Sequence, residues 1–183
     1  MSRMHPLLAS LAALALLLLA GCANQPPQSS AVVAPTAAVR EVLAPGGVLR
    51  VGVYGRSRYS MQADGQGGQL GLAHDLGVEL ARWLGTPLEL VEFGSPARVL
   101  EALRSEEVDV TLAPLADARR LGLDATLPLL NSPLGSLALV IPRGRQSGMA
   151  YLSRYALTVR RDGTLQSAVR RADLGDAVTL VGP

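Results

Sequence analysis

The chain has 183 residues, 49% of them hydrophobic and 17% charged, enough to bury one core but not two large independent ones. Lysine is absent, and 17 basic residues, all arginine, stand against 15 acids for a formal charge of +2, a balance too slight to argue a nucleic-acid partner. With two histidines, His5 and His74, and the single cysteine Cys22, the chain has no means of forming an internal disulfide or a Cys/His metal cluster, few parts for a Ser/His/Asp set, and no implied cofactor.

Residues 7–20 are apolar except for Ser10, and Arg3 precedes them. A bilayer crossing needs roughly 20 apolar residues, so the run reads as a signal peptide over residues 1–21 rather than a transmembrane helix. It ends in Leu19-Ala20-Gly21-Cys22, which resembles the lipobox of bacterial lipoproteins: small residues admit a peptidase, and the Cys22 thiol would carry the diacylglyceryl group. Several acyl chains, palmitate among them, contribute about 0.8 kcal/mol per buried methylene and would make a permanent anchor. Ala23, where that sorting pattern places Asp for inner-membrane retention, points to the periplasmic face of the outer membrane. The Ala, Val, Pro and Gln-rich stretch that follows, with no charge before Arg40, reads as a disordered tether over residues 22–45. The globular domain is expected over residues 46–183.

Val48-Leu49-Arg50-Val51-Gly52-Val53 alternates as a strand, followed by a polar, Gly-rich loop. Leu72, Leu76, Leu80, Trp83 and Leu84 recur at helical spacing before Gly85, which predicts an amphipathic helix of about 20 Å. A second strand is predicted over residues 87–93. Ser95-Pro96 then signals a cap and first turn for a helix carrying Val99, Leu100 and Leu103, and Val108-Asp109-Val110-Thr111-Leu112 reads as a third strand. The order β-α-β-α-β suits a parallel sheet with right-handed crossovers. Ligands of such sheets sit beyond the strands' carboxyl ends, here near residues 54–60, 94–95 and 113–119. Later, residues 137–141 and 155–159 are predicted strands, residues 165–172 a short helix, and residues 178–181 an apolar run.

The segments Gly47-Val48-Leu49-Arg50-Val51-Gly52-Val53, Gly71-Leu72-Ala73-His74-Asp75-Leu76, Ala102-Leu103 and Val108-Asp109-Val110, in that order, resemble the extracellular solute-binding proteins of family 3, the amino-acid-type binding components of ABC transporters. The resemblance spans residues 47–142. It implies an α/β, three-layer, periplasmic-binding-protein-like (type II) lobe with a mostly parallel sheet. It also implies non-covalent capture of a small carboxylate-bearing solute, without enzymatic chemistry, in partnership with a permease and a membrane. Three regions depart from the family pattern: the aromatic loop becomes Ser57-Arg58-Tyr59-Ser60, the Thr-rich turn becomes Ala113-Pro114-Leu115-Ala116 with an apparent deletion, and F-S-x-P-Y becomes Ala125-Thr126-Leu127-Pro128-Leu129. Length is the larger departure. The second lobe is expected to be absent or reduced to the loop over residues 143–154, with 155–160 similar to the family's late return strand; a truncated gene product is the rival explanation.

By the resemblance, Arg119 aligns with the arginine that forks onto the ligand carboxylate, with a solvated arginine paired to Asp117 or Asp124 as the alternative and Arg120 next to it in register. Tyr54 and Tyr59 stand where loop tyrosines either stack on a ligand or cover the core. Ser95 either binds solute or caps its helix. His74 with Asp75 reads as a surface pair. Glycines 65, 67, 68 and 71 lack the phosphate-loop pattern. Arg143, Arg145, Arg154, Arg160, Arg161, Arg170 and Arg171 face only Asp162 late in the chain, a solvated face or a contact with anionic lipid or another envelope component. The competing function is a degenerate single-lobe interaction module of the envelope.

Overall fold

The computed structural model describes residues 34–182; the expected signal peptide and Cys22 lie outside them. Regular structure is present ahead of the expected boundary at residue 46. Thr36 Oγ1 accepts from the Val39 N–H at 3.2 Å and caps helix α1 (Ala37–Leu43), so residues 37–43, expected in a disordered segment, are helical. Between the prolines, Ala37-Ala38-Val39-Arg40-Glu41-Val42-Leu43 is a helix-forming run whose last residue, Leu43, is buried in the core.

A 3-10 turn (Pro45–Gly47) leads into β1 (Leu49–Tyr54). A small hairpin of β2 (Gln62–Ala63) and β3 (Gln69–Leu70) precedes α2 (Leu72–Leu84), and then come β4 (Leu88–Phe93), α3 (Pro96–Arg104), β5 (Thr111–Pro114) and α4 (Leu115–Arg120). β1 and β4 pair in parallel, Leu49 with Leu88 through Tyr54 with Phe93. The Gly52 N–H donates to the Val110 carbonyl at 2.9 Å and links this pair to the approach of β5. Period-2 burial divides β1 between two layers. Leu49, Val51 and Val53 join the core under α2, while Gly52 lies against Val99 of α3 and against Val108. Gly77 in mid-helix lets α2 approach β1: a Cβ there would stand 2.9 Å from both Val51 methyls.

The second half corrects the expectation of a mostly parallel sheet. β6 (Asp124–Ala125), β7 (Leu130–Ser132) and β8 (Gly135–Ile141) follow α4, and β8 runs antiparallel to β5, β6 and β7. The cause is local. Only Pro133 and Leu134 separate β7 from β8, with Gly135 at φ +102°, and a two-residue connection joins antiparallel strands, since a parallel pair needs a crossover. The sheet is therefore mixed, within an α/β lobe that has helices on both faces.

Residues 143–161 are neither a reduced lobe nor a return strand. They turn into α5 (Gln146–Arg161), followed by α6 (Thr164–Arg171) and a short β9 (Thr179–Leu180) on β7. Tyr155-Ala156-Leu157-Thr158-Val159 has strand-like composition, but Tyr151, Leu152, Tyr155, Ala156 and Val159 bury one face at helical spacing. The Tyr155 hydroxyl donates to the Leu76 carbonyl at 2.7 Å and the Tyr151 hydroxyl to that of Trp83 at 3.0 Å, fixing α5 across α2. Burial pushes the Tyr155 phenol well above its ordinary range.

Two motifs of the sequence meet inside the lobe. Asp109, 0% exposed, accepts from the Arg50 N–H, Nε and NH2 at 2.9, 3.0 and 2.7 Å and from Arg145 NH1 at 2.9 Å. Four donors fill the lone pairs of this carboxylate, and its hydrogen bond holds the Arg50 guanidinium above its ordinary value against the opposing effect of burial. Arg145 also meets Glu106 at 2.8 Å, so one of the late arginines is an internal cation rather than part of a solvated face.

Candidate functional site

The carboxyl ends of β1, β4 and β5 converge on a cleft of about 410 Å³. Tyr54 closes β1, Ser95 follows β4, Thr111 to Pro114 form β5 itself, Asp117 and Arg120 come from α4, and Leu134 reaches in from the β7–β8 turn. Val99 and Leu100 give the floor its apolar character. The Thr111 hydroxyl donates to the Gly52 carbonyl at 2.7 Å, so its donor is committed to holding β5 beside β1.

The polar groups at the rim stay accessible. Arg120 NH2 donates to Asp117 Oδ1 at 2.9 Å, with 72% and 41% of the two side chains exposed. An exposed pair one turn apart contributes about 0–1 kcal/mol, and a guanidinium has five donors, so Arg120 can take a ligand carboxylate without a large loss. Ser95 Oγ accepts from the Arg98 N–H at 3.3 Å; the cap uses a lone pair and leaves the hydroxyl proton for a ligand at the rim.

The expected site residues divide. Tyr54 and Ser95 line the cleft, Arg119 is exposed and Arg120 takes its place in the lining, and Tyr59 packs against the main core instead. Cys22 lies outside the described residues. Asp117 falls within the expected segment 113–119 without having been singled out, and Leu134 lies outside the expected segments; their signals in the sequence are the acid one turn before Arg120 and the apolar residue between Pro133 and Gly135. A second, more polar depression of about 310 Å³ adjoins the same strand ends at Gly55, Arg56, Glu92 and Gly94.

His74 and Asp75 are not the solvent-facing pair expected. His74 Nδ1 lies 2.9 Å from Asp75 Oδ1, their side chains are 17% and 7% exposed, and Arg171 donates to Asp75 Oδ2 at 3.0 and 2.8 Å. The three tie α2 to α6, beside a depression of about 360 Å³.

No family model and no curated protein matches the chain. Solved structures do. Domain 1 of TmArgBP, in an arginine-bound Phe57Trp form, has a TM-score of 0.57 at 17% identity over 67% of this chain and 98% of its own. The solute receptors for L-cysteine of Neisseria gonorrhoeae give 0.59 at 16%, over 79% and 99%. An ancestral cyclohexadienyl dehydratase gives 0.60 at 14%, over 74% and 96%. The chain has the α/β fold of a periplasmic-binding-protein lobe. Its structural neighbours include amino-acid-binding proteins, and an enzyme shares the fold.

Proposed function

We propose that this chain is a lipid-anchored periplasmic solute-binding protein that captures a small, amino-acid-like carboxylate for an ABC transporter, without enzymatic chemistry. The observation that carries the reading is the open cleft at the strand exits, with an arginine on its rim and an apolar floor. Arg120, rather than Arg119, is the carboxylate fork; Ser95 and Tyr54 flank it, and Asp117 stands where a ligand ammonium would find its counter-charge. The floor of Val99, Leu100, Leu112 and Leu134 favours a solute with an apolar side chain. The arginine-bound state of TmArgBP domain 1 supports binding by a lobe of this fold.

Magnitudes set the affinity. A charged hydrogen bond contributes about 1.5–3 kcal/mol and burying a Leu-sized side chain about as much. Together, about 3–6 kcal/mol corresponds to dissociation constants from millimolar to tens of micromolar. Tighter capture requires an opposing wall from a partner chain.

Calorimetry at millimolar leucine, methionine, glutamate and arginine tests the reading. Saturable heat strongest for the apolar amino acids, lost in Arg120→Ala and kept in Arg119→Ala, is expected. Absence of heat with every amino acid, together with a stable protein partner on the cleft, would support the interaction module instead, a role that the 49% exposure of Leu134 favours. For the anchor, Cys22→Ser is expected to abolish acyl labelling in cells, and persistent labelling refutes the assignment.

A further inference from the structure

We infer that the outer face formed by α1 and α5 is a docking surface for anionic phospholipid. Charge is segregated along the chain: from residue 143 to 171 the only acid is Asp162. Internal pairing accounts for part of this excess, since Arg145 meets Asp109 and Glu106, and Arg171 meets Asp75. Arg154 and Arg161 have no carboxylate partner among the described residues, and both are exposed.

Their placement forms a stripe. Ala150, Arg154, Leu157 and Arg161 are the exposed positions at spacings of four, three and four along α5, on the side opposite its buried tyrosines. Leu157 keeps 37% of its surface in solvent between the two arginines. α1 packs alongside α5, with Leu43 against Gly148, and adds exposed Arg40. Burial pushes the Tyr151 phenol up while Arg154 and Arg40 pull it back, which puts both guanidiniums in the neighbourhood of one ring. The acids near this face are Glu41, next to Arg40, Asp124, which lies beside Ala150 and accepts from the Gly144 N–H at 3.0 Å, and Asp162, which accepts from the Thr164 N–H at 2.9 Å. Arginines around one exposed leucine suit a headgroup layer, where guanidinium forks bind phosphate and an apolar side chain enters the glycerol region.

The point of chain entry agrees with this orientation. The described residues begin at Ala34, and Arg40 NH1 donates to the Pro35 carbonyl at 3.1 Å. The first described residues therefore lie beside Arg40, at the edge of the arginine face.

The test compares full-length chains on vesicles of phosphatidylcholine alone and of phosphatidylcholine with about one-third phosphatidylglycerol. All variants share the same N-terminal segment, whose apolar contribution is common to both lipids. The expected result is a preference for the anionic vesicles that fades with salt and falls by up to about 100-fold in Arg40→Gln/Arg154→Gln/Arg161→Gln, at about 1 kcal/mol for each arginine. Lysine at the same three positions should restore it. The triple change Arg56→Gln/Arg98→Gln/Arg104→Gln, which removes equal charge elsewhere, should leave it intact. No anionic preference, a preference kept by the first triple change, or equal loss in both triple changes overturns the proposal; thermal midpoints verify that each variant is folded. The preference should survive Cys22→Ser, so failure of this face and failure of acylation are separately visible.

Discussion

Arg145 NH1 donates across the domain to Asp109 Oδ1 at 2.9 Å, filling the last acceptor position of a carboxylate that is 0% exposed. Arg50 supplies the other three donors. The pair joins the start of α5 to the strand that opens onto the cleft, while the Val42 carbonyl accepts from the same guanidinium at 3.2 Å. Removing one partner of a buried pair costs more than the pair contributes, because the remaining charge loses compensation. Arg145→Met is therefore expected to destabilise the fold by about 3 kcal/mol, measured by urea denaturation. Asp109→Asn should cost at least as much, since it leaves two guanidiniums facing a neutral amide. A loss below about 1 kcal/mol for both would reduce the network to an ordinary surface pair.

Gly77→Ala tests the approach of α2 to β1. Alanine gains about 1 kcal/mol of helix propensity over glycine, but its methyl would stand 2.9 Å from both Val51 methyls, and overpacking costs about 1–3 kcal/mol. The expected net is a loss of about 1 kcal/mol, and the same change made in a Val51→Ala background should cost less, a coupling that a double-mutant cycle reads. A more stable Gly77→Ala single variant would show that the contact yields freely.

Tyr155 gives the pH prediction. Its phenol is held above the ordinary value by burial, and the neighbouring Glu79 and Asp162 act in the same direction. The folded value exceeds the unfolded one, so the associated stability is complete below the range of an unfolded phenol and is lost as pH rises toward the folded value. The Tyr155 phenolate band, isolated by difference from Tyr155→Phe, should appear only together with loss of the helical circular dichroism. Reversible ionisation in the intact fold would contradict this.

Ala97 lies at the cleft rim and is exposed. Ala97→Trp should fill the cleft with little change in thermal midpoint and abolish the heat of solute binding. Retained binding would place the ligand elsewhere, the depression at Gly55 and Glu92 being the next candidate.

The first half of the fold was legible because its information is local. Residues 48–112 carry period-2 strands, period-3.6 helices and a Ser-Pro cap, and each falls where its pattern puts it, to within about three residues. The second half was not, because strand pairing is a non-local choice: nothing in Leu137-Ala138-Leu139-Val140-Ile141 by itself says that Leu137 will face Pro114 and Leu130. Residues 155–159 misled for a different reason. β-branched and aromatic residues imitate a strand in a five-residue window, and the helical repeat becomes visible only when Tyr151 and Leu152 are included. The cleft lies at the strand ends to which the sequence points, and Arg120 rather than Arg119 lines it. The apparent deletion in residues 113–116 leaves sequence alignment without a fixed register there, and one residue on a helix is a rotation of about 100°.

The reversal at Pro133 and Leu134 has a consequence for protein engineering. The two flanking strands are anchored, β7 by ladders to β8 and β9 and β8 by ladders to β5 and β7, so extra polypeptide grafted between those two residues would meet fixed ends only a few ångströms apart. It would emerge directly over the mouth of the cleft. A graft at that point is where a lid could be fitted to turn this shallow open surface into an enclosed chamber.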